Sequence, residues 1–348
     1  MTASADTATT VAGGIGPANV PTPSLATLRE AATRLAPHVL RTPTVPWPGD
    51  SPPGGVGELH VKLELLQKGG SFKPRGALNT LLAARAAADA GDDSAGDIAA
   101  GAVAFSAGNH AIATAWAGRT LGIPVAVVMP ESANPFRVAR CRELGAEIVF
   151  GRDIADLVAK VADIRAREGR VLVHPFEGPA TVEGTACVGL ELADDVSDLD
   201  AVIVPVGGGG LIAGIATAFA HVQPDCLVIG VEPEGARGMT ASLAKGAPLA
   251  RVDVATIADS LGAPFHTPYA FALVERHVSR VVTVTDAALV DGMRRLFGEM
   301  NLAVEPACAA SLAALSGPLA GALAGRRVAL LACGSNIDRE SWWRLAGS

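Results

Sequence analysis

The sequence lacks the features that mark several large classes of protein. Charged residues make up only 18% of its 348 positions, against roughly 25% in an average soluble chain, so a disordered polyelectrolyte is excluded for most of its length. Basic residues are outnumbered 28 to 35, leaving a net charge of −7; nucleic-acid binders present a basic patch or stripe, and no such partner is expected. No apolar run reaches the ~18–20 residues of a membrane span, so the 49% hydrophobic content is read as core. The five cysteines (Cys141, Cys187, Cys226, Cys308 and Cys333) are scattered and form no CxxC pair. That spacing argues against a disulfide framework and structural zinc, and predicts reduced thiols in the cytoplasm. The dipeptide Gly-Lys never occurs, which excludes a P-loop. Residues 1–23 contain neither Lys nor Arg, against the pattern of a signal or transit peptide; their Ala/Thr/Gly/Pro-rich composition predicts a disordered tail.

What is present is a two-lobed α/β pattern. Ser24 caps a first apolar-periodic helix. Short apolar runs at 60–65, 103–105, 124–129, 147–150, 171–174, 201–206, 227–231, 281–284 and 328–332 then alternate with helical patterns at 77–90, 109–121, 154–168, 211–220 and 287–300. Such alternation predicts parallel sheets. Polar breaks at 91–101 and 177–180 bracket several of these β/α units. The expected organisation is a small domain at 100–179 inserted into a large domain formed by 24–99 and 180–348.

Ligands of open α/β sheets bind beyond the carboxyl ends of the strands, and four segments there carry chemistry. Val204-Pro-Val runs into Gly207, Gly208, Gly209 and Gly210, then an apolar helix. Glycines let the backbone approach an anion, and a helix N-terminus offers free N–H groups, so a phosphate is expected. Gly208-x-Gly210-x-x-Ala213 also fits a dinucleotide fingerprint, with Glu232 placed for a ribose; a nicotinamide oxidoreductase is the rival on this segment alone. The second segment, Ser71-Phe72-Lys73-Pro74-Arg75-Gly76-Ala77, places Lys73 just before a helix, where the dipole disfavours an ammonium and a neutral amine can attack a carbonyl. The third, Ser106-Ala107-Gly108-Asn109-His110, again leads a strand into a helix and offers polar groups and N–H donors to a carboxylate. The fourth is Cys333-Gly334-Ser335-Asn336 after the last strand.

Together these segments resemble the fold type II pyridoxal-phosphate enzymes, the tryptophan-synthase-β type, and among them the threonine/serine dehydratases. The resemblance spans about residues 24–340 in the family's order, with Glu305-Pro306-Ala307 and Thr256–Asp259 as further matching points. It implies pyridoxal 5'-phosphate as cofactor, a homodimer, and β-elimination of water from L-threonine or L-serine to a 2-oxo acid and ammonia. Lys73 would be the Schiff-base lysine and α-proton base, flanked by Phe72; Asn109 would bond the ring hydroxyl; Gly207, Gly208, Gly209 and Gly210 would hold the phosphate. Cys333 would face the pyridine nitrogen, where a thiol leaves that nitrogen closer to neutral than a carboxylate would. Ser106, Ala107, Gly108, Asn109 and His110 would hold the substrate carboxylate.

Two departures bear on the outcome. Related serine racemases carry a proton-donating serine where this chain has Ala107, which favours dehydration over racemisation; a dehydratase of another β-hydroxy amino acid is the further alternative. Family members also bind a cation through a Glu, a backbone carbonyl and an Asp. Glu232 and Ala236 match that pattern, but Gly238 falls at the Asp position, leaving Glu234 as a substitute.

Overall fold

The structure is a computed structural model and describes residues 19–49, 51–92, 94 and 96–347. The chain runs α1 (Leu25–Leu35), β1 (Thr44–Pro46), β2 (Glu58–Lys62) and α2 (Lys73–Asp89). It continues through β3 (Ala102–Phe105), α3 (Asn109–Leu121), β4 (Val125–Pro130), α4 (Pro135–Glu143), β5 (Glu147–Gly151), α5 (Ile154–Glu168) and β6 (Val171–Leu172). The remainder comprises α6 (Pro179–Asp195), β7 (Ala201–Pro205), α7 (Gly210–Val222), β8 (Leu227–Pro233), α8 (Gly238–Lys245), α9 (Pro268–His277), β9 (Arg280–Val284), α10 (Asp286–Met300), α11 (Pro306–Ser316), β10 (Arg327–Leu331) and α12 (Arg339–Ala346).

Two sheets result. One has six strands in the order β1-β2-β10-β7-β8-β9, the other four in the order β5-β4-β3-β6. Among these strands every pairing is parallel except β1 with β2. Strands covered by helices on both faces have no solvent side, which is why β3 and β7 are continuous apolar runs with every residue buried. Side-chain caps start the helices where sequence supplies them: Ser24 accepts from Thr27 N, Asp153 from Asp156 N, and Thr285 from Ala288 N.

The differences from the sequence-based expectations have local causes. The strand expected at 60–65 ends at Lys62, because Glu64 turns inward to meet Arg75. The one expected at 171–174 keeps only Val171 and Leu172; beyond it, His174 Nδ1 accepts from the Phe176 and Glu177 N–H groups and bends the chain. Helix α2 starts at Lys73 rather than at 77, with Pro74 in its first turn. Residues 1–18 of the expected tail lie outside the described residues. Residues 20–23, assigned to the same tail, pack on the body: Val20 is buried, Arg276 Nη2 donates to Val20 O, and the His221 ring donates to Pro23 O. No described helix is long and apolar enough to cross a membrane.

Arg75, in the first turn of α2, holds the start of that helix in place. Its fully buried guanidinium donates to both oxygens of Glu64 (2.7 and 2.8 Å), to both of Glu191 (2.7 and 2.8 Å), and to Leu40 O (3.1 Å). Arginine's planar fork suits two carboxylates at once.

Candidate active site

The carboxyl ends of β3, β7 and β10 and the start of α2 converge on one cavity of about 210 Å³. It is bounded by all four chemistry-bearing segments: by Lys73, by the 106–110 loop, by Gly207–Gly210 and by Cys333. Backbone contacts join the second segment to the fourth. Ser71 and Gly334 form an antiparallel bridge, Phe72 N donates to Cys333 O (3.1 Å), and Ser335 N donates to Gly70 O (2.9 Å).

The Lys73 amine is buried and donates to Pro175 O (2.5 Å), 5.0 Å from the centre of the Phe72 ring. Burial lowers its pKa to about 8, against the opposing pull of Cys333 and Glu305. A neutral amine is therefore available near neutral pH, as its place at the positive end of a helix also favours. Cys333 is a buried neutral thiol: its hydrogen bond to Cys308, then burial, raises its pKa well above the ordinary thiol value.

Asn109 is held on both sides. Its Nδ2 donates to Glu305 Oε1 (2.7 Å) and more loosely to Ser260 Oγ (3.3 Å), while Asn336 Nδ2 donates to its Oδ1 (2.7 Å). Ser106 Oγ accepts from Gly108 N (3.0 Å), and Ala107 is exposed at the loop's tip. No side chain caps the N-terminus of α3, so its first N–H groups are free for an anion. The His110 ring is committed elsewhere. Burial lowers its pKa to about 3 and its Nε2–H donates to Val173 O (2.8 Å), so any contact of His110 with a substrate falls to its main chain.

The glycine run forms a tight cradle. A Cβ on Gly208 would stand 2.2 Å from the Phe176 ring, one on Gly210 would stand 2.7 Å from Phe176 O, and Gly209 has φ +93°. No side chain caps α7, and two neighbours brace the loop. Thr185 Oγ1 donates to Gly210 O (2.8 Å) and His266 Nε2 donates to Gly207 O (3.1 Å).

The residues expected to bind a cation do not fit one. Glu232 is fully buried, and its carboxylate already accepts from Met239 N (2.6 Å), Thr240 N (2.8 Å) and Thr240 Oγ1 (2.7 Å), capping α8. Ala236 lies in the turn before that helix, Glu234 is exposed, and a Cβ on Gly238 would meet the His266 ring at 2.7 Å. Among the described residues no group of three or more His, Cys, Asp or Glu is placed to hold a metal. The same burial removes Glu232 as a ribose acceptor, and with it the dinucleotide reading of the glycine run.

Sequence reasoning passed over several residues of the cavity. Arg137, from α4, pairs with Asp259 and donates to Asn336 O, closing one side. Phe105 and Phe176 face Phe265 with ring centres 6.3 and 5.8 Å apart, and Leu157 packs on the same cluster. Glu305 is buried, its pKa pushed up to about 7 chiefly by burial, with Arg137, Asn109 and Ser260 pulling the other way. Only the Glu305-Pro306-Ala307 and Thr256–Asp259 matching points touched any of these, and neither said where the carboxyl aims.

A buried amine of lowered pKa, an uncapped helix behind four glycines, and amide donors between them fit an aldehyde cofactor that carries a phosphate. Comparison with known proteins agrees. Residues 35–334 match the family model described as pyridoxal-phosphate dependent enzyme. The phenylserine dehydratase of Ralstonia pickettii is 45% identical over 325 residues, 93% of this chain and 97% of that protein. The maize serine racemase structure superposes with a TM-score of 0.86 at 32% identity, covering 93% of this chain and 97% of that one. A threonine deaminase structure from T.th. gives 0.81 at 37% identity, covering 91% and 99%. With the family model spanning most of the chain and the fold matching these structures, the chain belongs to the pyridoxal-phosphate dependent enzymes of fold type II.

Proposed function

We propose that this enzyme removes water from an L-β-hydroxy-α-amino acid, releasing a 2-oxo acid and ammonia, and that a β-aryl serine serves it better than L-threonine or L-serine. The observation that carries the preference is the apolar wall beside Lys73, made by Phe105, Phe176, Leu157, Ile154 and Pro264. A methyl or hydrogen on the substrate's β-carbon would leave that wall unfilled, whereas an aryl ring would bury against it. The name of the Ralstonia relative supports the same reading. The proposal takes 100–179 as a small domain inserted between the two parts of a large one, 24–99 and 180–348, in a homodimeric cytoplasmic enzyme.

Bound pyridoxal phosphate supplies an electron sink that acidifies the substrate's α-hydrogen. Lys73 anchors it and then takes the α-proton. The uncapped N-termini of α7 and α3 would receive the phosphate and the substrate carboxylate respectively, with Ser106 and Asn109 beside the latter. The neutral Cys333 thiol, on the cavity wall, would bring no charge to the ring nitrogen of a bound cofactor. The elimination balances without another reactant: the hydroxyl leaves as water, and that water returns in the hydrolysis that frees the ammonia.

Steady-state assays of 2-oxo acid and ammonia release test the substrate. L-threo-phenylserine is expected to exceed L-threonine in kcat/KM by on the order of 10–200-fold, the usual worth of a filled apolar subsite. Equal or better turnover of threonine would return the enzyme to the threonine/serine dehydratases. The racemase alternative has little support, since Ala107 carries no group that could deliver a proton; D-serine forming faster than pyruvate from L-serine would reverse that ranking.

The lowered pKa of Lys73 gives a second expected result. Only the neutral amine is nucleophilic, and the folded pKa lies below the ordinary lysine value of 10.5, at about 8. Capture of pyridoxal phosphate by the apoprotein, trapped with borohydride and located on Lys73 by mass spectrometry, should rise with pH through about 8. A rise confined to the range above pH ~10, where an ordinary lysine titrates, would mean the amine is solvated.

A further inference from the structure

We propose that Glu305 is a positioning residue whose carboxylate fixes the orientation of the Asn109 amide in the cofactor site. A primary amide can be turned over at almost no cost unless its neighbours distinguish N from O. Here they do. Glu305 Oε1 lies 2.7 Å from Asn109 Nδ2 and accepts from it, as a carboxylate oxygen or as the carbonyl oxygen of the acid; on the other side Asn336 Nδ2 stands 2.7 Å from Asn109 Oδ1 while also donating to Gly69 O (2.7 Å). One Asn109 hydrogen is thereby spent on Glu305, and the second, held only by the long contact to Ser260 Oγ (3.3 Å), remains for a group entering the cavity.

Two further observations argue that Glu305 is placed for this purpose and not for its own helix. It occupies the N-cap position of α11, yet its side chain makes no capping bond. An acidic side chain there ordinarily turns back to the first N–H groups; this one turns away, 196 positions along the sequence to Asn109. The path is also cleared for it. A Cβ on Gly334 would stand 2.6 Å from Glu305 Oε1 and 3.2 Å from Asn109 Nδ2, so glycine alone leaves room for the two to meet. Removing Glu305 leaves the buried Asn109 amide with only its long contact to Ser260, so the apoprotein should lose some stability. The effect that tells a positioning role from a structural one is therefore the one read in the loaded enzyme.

This inference rests on the pyridoxal-phosphate assignment and is independent of which β-hydroxy amino acid is the substrate. The test compares Glu305→Ala, Glu305→Gln, Asn109→Ala and the double variant Glu305→Ala/Asn109→Ala. Each is read by the affinity for pyridoxal phosphate, the visible spectrum of the holoenzyme, kcat and KM, and the melting temperature of the apoprotein. Glu305→Ala should weaken cofactor affinity about tenfold, the worth of one well-made hydrogen bond, displace the visible band, and lower kcat more than it raises KM. Glu305→Gln keeps an acceptor oxygen and should recover affinity to within about threefold. In the Asn109→Ala background the Glu305→Ala change should add nothing, because the two act through one contact. An unaltered spectrum and affinity in Glu305→Ala, or a full additional loss in the double variant, would overturn the proposal. A drop in apoprotein melting temperature with a wild-type spectrum in the folded fraction would also overturn it, by showing a purely structural role. Failure of every variant and of the wild type to bind pyridoxal phosphate would instead strike at the cofactor assignment.

Discussion

Lys73→Ala should leave a folded protein without measurable turnover. Proton transfer by a positioned base is worth about 10²–10⁴-fold on its own, and the same side chain provides the covalent anchor, so the combined loss in kcat should exceed about 10³-fold. The structure explains why no neighbour can stand in. His110 is neutral and bonded to Val173 O, His174 is held well below its ordinary pKa by burial and turned into the Phe105 and Phe176 rings, and Lys68 is exposed and does not line the cavity. Stability should hold or rise, because the change removes a buried amine whose hydrogen bond is to Pro175 O alone. The checks are kcat with the preferred substrate, borohydride trapping, and thermal melting of the same preparation. Retention of more than a tenth of wild-type kcat would remove Lys73 from the mechanism.

Arg75→Ala should act on the fold with comparable force. The guanidinium is fully buried and satisfies Glu64, itself fully buried, and Glu191 at once. Deleting it strands two carboxylates beside each other, with only Lys62 (2.9 Å from Glu191) and Thr42 (on Glu64) as partners. Breaking a buried pair from one side costs about 3–5 kcal/mol, a large part of a marginal total. Urea denaturation monitored by circular dichroism would show it as a lower midpoint. Arg75→Lys should recover only part of the loss, since an ammonium cannot fork across both acids. A midpoint unchanged by Arg75→Ala would mean that Lys62 alone balances the cluster.

The parts legible in the sequence are those whose physics is local. Parallel strands read as apolar runs because both faces are covered, and β3, β7 and β10 fall within a residue or two of the expected runs. The glycine run and the lysine segment carry their chemistry in consecutive residues, and the structure brings both to one cavity. What stayed hidden depends on distant partners. β1 is three residues long, ends in a proline, and exists only because β2 offers it an edge. Arg137 meets Asp259 from 122 positions away, and the aromatic wall joins Phe105 and Phe176 to Phe265. No periodicity encodes such meetings. The surroundings of Glu232 were hidden for a related reason: Thr240 and the α8 backbone occupy its carboxylate, which the spacing of acidic residues cannot reveal.

The order of strands in the larger sheet also constrains how the molecule can be made. β10 lies between β2 and β7, and Glu58 and Arg327, which pair across the β2–β10 seam, stand 269 positions apart. A ribosome adding about 5–20 residues per second therefore releases β1 and β2 long before their central neighbour exists. The four-stranded sheet, from Ala102 to Leu172, has all its strands within one continuous stretch and can close while synthesis continues. The six-stranded sheet must wait for the last segment of the chain, and that same segment brings Cys333 and Asn336. A nascent chain stalled just before Arg327 would expose the open flank of β2 and β7 to chaperones, and it could not yet assemble the site. Completion of the fold and completion of the catalytic centre are one event in biogenesis.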